Sequence, residues 1–279
     1  VITLANAQLR LEFLDPIADR AKLGPRFCWG GYLWQIHDAT VGPLLTGPEW
    51  PKPDPSPFNG QGLPESFRHS TRDGFRHTWN RDLGVALGAG ALAPGGGDVA
   101  IPCAWDIAPT KDEIVFKTRQ DVAGFNYAIT RTISLRERQV TSFSQLTNLA
   151  ENPLRLEWFA HPFFALTDRL IELRVPAQSR LADNPGFALD GRAFTQKRRF
   201  EHEQDGHMDF LHLPAEQPLA VRLTHPKLTH IDFETTFAPS ECIVWGNSNT
   251  FSIEPYQTLA LLPGESKQWS LRYDFGLPR

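Results

Sequence analysis

Two runs of alternating residues meet at Pro263-Gly264, close to the end of this 279-residue chain. Before the turn, Phe251, Ile253, Leu259 and Leu261 alternate with Ser252, Glu254, Thr258 and Ala260; after it, Trp269, Leu271, Tyr273 and Phe275 alternate with Ser270, Arg272 and Asp274. A period of two is the signature of a strand with one buried face, and Pro-Gly is a turn. Helical periodicity is scarce elsewhere. Residues 2–13 alternate like a strand, and residues 27–36 read as strand, bulge or turn, then strand around Gly30-Gly31. Further strands fit 102–108, 113–120, 124–134, 138–148, 154–164, 170–175, 187–190, 208–213, 219–225, 228–236 and 242–247. Many antiparallel strands with polar turns predict an all-β protein, a large sandwich or barrel. No composition break divides the chain, so residues 1–279 read as a single domain.

Two stretches resist the strand pattern. Residues 42–66 hold seven prolines, a density that no regular element survives, and the aromatics Trp50 and Phe58 within it favour a packed loop over a linker. Gly88 to Gly97 resembles a phosphate loop in composition alone. It lacks both the GKS/T ending and the GxGxxG spacing and reads as a flexible connection.

Composition excludes several function classes. A hydrophobic fraction of 41% and a charged fraction of 22% are those of a soluble globular protein. No apolar run approaches the roughly 18 residues of a membrane span. A net charge of −4 argues against a nucleic-acid partner, and Lys197-Arg198-Arg199 is followed at once by Glu201, Glu203 and Asp205. Cys28, Cys103 and Cys242 show no CxxC pairing; they permit one disulfide at most and fit three free thiols equally. The chain begins at Val1 and its single Met is Met208, so a leader was removed or the numbering starts inside a longer product. The compartment is undetermined, with the cytoplasm favoured over the periplasm.

Among nine histidines, His202, His207 and His212 are spaced by five, which puts consecutive members on opposite faces of a strand and argues against a metal site. His225 and His230 flank a turn. His69 and His77 lie in a polar stretch, 65–82, with Arg68, Arg72, Arg76 and Arg81, a stretch able to line a cleft. His161 differs: it closes an apolar strand directly before Pro162, which forces an extended backbone. Glu254 likewise stands at a strand end before Pro255, either as a cap or as a base held in a cleft. Two proline-braced groups, one able to donate and one to accept, suit acid–base chemistry near neutral pH.

The order of several pieces adds to this. Gly24-Pro25-Arg26-Phe27 and Gly30-Gly31-Tyr32-Leu33 come first, followed by Leu146-Thr147-Asn148 and His161-Pro162-Phe163-Phe164. Ser252-Ile253-Glu254-Pro255, Pro263-Gly264-Glu265 and Trp269 come last. The chain thereby resembles the galactose mutarotase-like (aldose 1-epimerase) superfamily, as a divergent branch. Asn59 to Phe67 resembles a substrate-side loop and departs from the paired histidines of true galactose mutarotases.

The resemblance implies a large antiparallel β-sandwich, a supersandwich, with a sugar cleft on one face, and catalysis without metal or nucleotide. It implies Glu254 as general base, His161 as general acid and Arg26 as a sugar contact. Glu65, Arg68 and His69 are further contacts, and Asp190 or Asp168 supplies a supporting aspartate. Trp29, Trp34, Trp50, Trp79 and Trp245 could stack on a sugar, Trp50 first because no core strand claims it. The expected partner is a monosaccharide or sugar phosphate, and the protein a monomer or homodimer. In the expected reaction Glu254 takes the anomeric hydroxyl proton while His161 protonates the ring oxygen, interconverting α and β anomers of a hexose. That requires a raised histidine pKa beside a carboxylate. The alternatives are a hexose-6-phosphate 1-epimerase, with arginines from 68–81 on the phosphate, and a non-catalytic carbohydrate-binding module.

Overall fold

The computed structural model describes residues 1–53, 60–68, 78–80, 83–94, 98–122, 124–168 and 170–279. Nearly all regular structure among these residues is antiparallel β, and the one helical element among them is a 3-10 turn at Arg20–Lys22. Two large sheets dominate. One has ten strands and runs from Asp106–Pro109 through Glu113–Val122, Phe125–Arg136, Gln139–Asn148 and Ser266–Phe275 to the Phe187–Asp190 edge. The other has seven and orders Arg180–Leu181, His207–His212, Glu241–Gly246, Thr250–Leu261, Leu154–Ala160 and Glu65–Arg68, with Phe164–Ala165 pairing the long Thr250–Leu261 strand. Two four-stranded sheets, one N-terminal and one spanning Thr78–Pro102, complete the fold.

Alternation does what the sequence predicts. In Gln139–Asn148 every second residue is buried, and Val140, Ser142, Ser144 and Leu146 face inward. Trp269, Leu271, Tyr273 and Phe275 do the same in the last strand. Their faces meet the seven-stranded sheet in one continuous apolar cluster that runs from Leu4 to Phe275. Trp158 lies against Trp269 with ring centroids 5.0 Å apart, and Phe164 packs on Phe233 and Tyr273. The architecture is the large antiparallel sandwich expected. The Pro263-Gly264 turn joins strands of different sheets, so it carries the chain from one layer to the other.

Three local expectations are corrected. Residues 27–32 form turns, and only Leu33–Asp38 is a strand. The glycine-rich stretch contains a buried strand, Gly90–Leu92, paired on both sides. Gly90 is required there because a Cβ would come within 2.2 Å of the Ile101 carbonyl oxygen. Finally, Glu254 does not end its strand, which continues through Pro255 to Leu261. Pro255 faces Cys242 on one side and lies one step past Phe159–Tyr256, the last pair with Leu154–Ala160. The N–H it lacks is not needed for the ladder, and a proline is tolerated.

Candidate active site

The strand Leu154–Ala160 stops where His161 donates its backbone N–H to the Pro64 carbonyl at 2.9 Å. This turns the imidazole onto the face of the seven-stranded sheet away from the ten-stranded one. The neighbouring Thr250–Leu261 strand presents Ser252, Glu254 and Tyr256 on that same face, at alternate positions. The two groups predicted to work together meet: His161 Nε2 is 3.4 Å from Glu254 Oε1. His161 Nδ1 is 3.1 Å from Ser252 Oγ. With the serine hydroxyl donating, the ring proton stands on Nε2 and points at the carboxylate. The Tyr256 hydroxyl donates to Glu254 Oε2 at 3.3 Å.

Aromatic rings enclose the pair. Phe163 stacks on the imidazole at 4.4 Å, and Phe27, Phe159 and Trp245 stand around it at 6.0, 6.1 and 6.2 Å. His161 is 4% and Glu254 5% exposed, so both are poorly hydrated. Burial first, and then the Arg26 guanidinium, hold the imidazole well below the usual histidine range; a bond to backbone only partly opposes them. This corrects the expected raised histidine pKa: the resting ring is neutral.

Of the other predicted contacts, Arg26 reaches this neighbourhood. It is half-buried, with its guanidinium 5.2 Å from the Phe27 ring centroid, and its backbone carbonyl accepts from Ser66 Oγ at 2.5 Å. Glu65 does not, and its reading as a ligand contact is corrected. It faces the inter-sheet core at 1% exposure and pairs with Arg131 Nη2 at 2.5 Å. Ser142 Oγ, Ser144 Oγ and Trp158 Nε1 also donate to its carboxylate at 2.7, 3.3 and 3.1 Å. Asp190 stands exposed at the tip of a hairpin on the edge of the ten-stranded sheet, with no described bond to the pair. Asp168 is also exposed, in a turn. Trp50 is half-buried in the turn before Pro51, whereas among the described side chains Trp245 is the tryptophan beside the imidazole. Arg68 pairs Glu157 through its backbone, and only its backbone is described; His69, Arg72, Arg76, His77 and Arg81 lie outside the described residues.

Among the described residues no cluster of His, Cys, Asp or Glu is placed to hold a metal ion, and all three cysteines are buried and unbridged. An open cleft between Gln8, residues 136–139 and the last strand lies apart from the pair and shares no residue with it.

Ser252 and Tyr256 were not singled out from the sequence. Their signal is the period of two on either side of Glu254, legible once the strand is carried through Pro255.

No family model matches the chain, and no curated protein matches it. Solved structures do. A galactose mutarotase-like protein from Lactobacillus casei superposes with a TM-score of 0.65 at 15% identity, over 98% of this chain and 99% of that one. A galactose mutarotase related enzyme from Lactobacillus acidophilus gives 0.61 at 14%, over 98% and 96%. An aldose epimerase homologue from C. elegans gives 0.54 at 14%, over 100% and 99%. The chain has the galactose mutarotase-like fold.

Proposed function

We propose that this chain, built on a galactose mutarotase-like fold, is a one-domain aldose 1-epimerase-like enzyme that interconverts the anomers of a hexose. The observation that carries the reading is the 3.4 Å contact between His161 Nε2 and Glu254 Oε1, two groups 93 residues apart in sequence. Mutarotation needs one acceptor for the anomeric hydroxyl proton and one donor for the ring oxygen. A bound pyranose would replace the direct contact with two: carboxylate to anomeric hydroxyl, imidazole to ring oxygen. Glu254 takes the proton, His161 delivers one, C1–O5 opens, the aldehyde rotates about C1–C2, and the roles reverse on closure. The imidazole rests neutral, so His161 takes up a proton from solvent as the sugar binds; that proton goes to the ring oxygen, and the anomeric proton stays on Glu254 until closure returns it. General acid–base help of this kind is worth about 10²–10⁴-fold. The aromatic rings around the pair suit the apolar face of a sugar.

Arg26 beside the pair would serve a sugar hydroxyl or a phosphate equally well. Anomer exchange should therefore be followed by NMR or polarimetry over a panel of free hexoses and hexose 6-phosphates. Acceleration by the wild-type protein that is lost in His161→Asn supports the enzyme. Saturation by the phosphates alone selects the phosphosugar epimerase. Sugar binding without accelerated exchange identifies a binding module and overturns the proposal.

A further inference from the structure

Four side chains form an unbroken polar line across this face: Ser252 Oγ to His161 Nδ1, His161 Nε2 to Glu254 Oε1, and Glu254 Oε2 to Tyr256 Oη, at 3.1, 3.4 and 3.3 Å. Three of the four come from alternate positions of one strand, so their spacing is set by the pleat. All are buried: Ser252 is 0% and Tyr256 3% exposed. What holds the tyrosine is its ring. It stacks on Phe159 at 4.5 Å with 9° between the planes, in a small apolar cluster with Ile243 and Phe210. The hydroxyl is thus placed by packing, independently of the bond it makes.

A carboxylate turns about its last carbon–carbon bond, and only some orientations aim one oxygen at an imidazole and the anomeric hydroxyl beside it. We propose that Tyr256 is a positioning residue for Glu254: by holding Oε2 it turns Oε1 toward His161 and the reacting hydroxyl. Ser252 sets the imidazole from the far end of the line. This rests on the acid–base reading above. A donor on the carboxylate also favours its ionised form, which a general base requires.

Tyr256→Phe tests it, because the ring and its stacking survive and only the hydroxyl goes. Hydrogen bonds to charged groups are strong enough that kcat for anomer exchange should fall about tenfold. KM should stay within about twofold if the hydroxyl acts through the carboxylate it bonds. The acid side of the pH–rate profile should move to higher pH, the carboxylate having lost a donor that favoured its charge. An unchanged kcat and profile, or a loss confined to KM, would overturn the proposal. A second readout needs no catalysis: the ring nitrogen resonances of His161, followed by NMR over pH. Tyr256→Phe should shift them through Glu254, and Ser252→Ala should shift them directly at Nδ1. If the wild type accelerates no anomer exchange while Tyr256→Phe still moves these resonances, the enzyme reading fails and the positioning contact stands. Resonances indifferent to Tyr256→Phe refute the contact itself.

Discussion

Glu65 and Glu254 stand on strands of one sheet, separated by the Leu154–Ala160 strand, at 1% and 5% exposure. Glu65 turns inward, to a guanidinium that stays protonated throughout the accessible pH range, two serines and an indole N–H. Glu254 turns the other way, and its described partners include an imidazole that burial keeps neutral and a phenol. Equal burial therefore says little about role. The partners decide it. An arginine fixes a charge in place, as structure requires, whereas an imidazole at 3.4 Å can exchange a proton with its neighbour, as catalysis requires.

The largest effect that would break this contrast lies on the structural side. Glu65→Leu leaves Arg131 charged and uncompensated between the sheets and should cost about 3–5 kcal/mol in urea unfolding. Replacing Arg131 by Met as well should recover most of that loss. A Glu65→Leu protein of normal stability would show that the inward carboxylate is not structural.

The histidines repeat the contrast. His225, 1% exposed, donates from Nε2 to the Leu44 carbonyl at 2.8 Å and accepts at Nδ1 from the backbone N–H groups of Lys227 and Leu228. A second ring proton would face two donors. Burial, together with Lys227 and Arg279 and against the Leu44 bond, lowers its pKa to about 4. Below the unfolded value the unfolded chain binds the extra proton, so stability is intact above about pH 6.5 and is lost as pH falls toward 4. The loss should reach about 3 kcal/mol, and His225→Gln should flatten it. A wild-type protein equally stable at both ends of that window would contradict the assignment.

His161 is depressed too, but there the consequence is read in rate. If its protonated form is the acid, anomer exchange should quicken as pH falls below 6.5, until Glu254 itself is protonated. A rate that only slows over that range would take the donor role away from His161. Smaller still, Trp245→Leu should raise KM about two- to tenfold with kcat unchanged, from the loss of aromatic contact with the sugar. Asp190→Asn, at the edge of the other sheet, should change neither constant.

Much of this was legible in the chain. Alternation located Phe187–Asp190 to the residue and most long strands to within one or two, because a half-buried strand writes its period into the sequence. The pairing of positions 161 and 254 also came through, each marked by a proline that disturbs an otherwise regular strand. Glu65 was misread because its partner, Arg131, is 66 residues away on the opposite sheet, and a cross-sheet ion pair leaves no local pattern. Tyr256 was hidden by taking Pro255 as a stop. A proline halts a strand only where its missing N–H is wanted, and that depends on where the neighbouring strand ends. Gly90 misled in the same way, since a glycine admitted by close backbone approach reads like one in a flexible loop.

Anomer exchange in Glu254→Gln, measured by NMR alongside its unfolding curve, bears most directly on the central claim. The pair predicts exchange no faster than in buffer alone, in a protein whose unfolding matches the wild type. Full acceleration in that variant would contradict it.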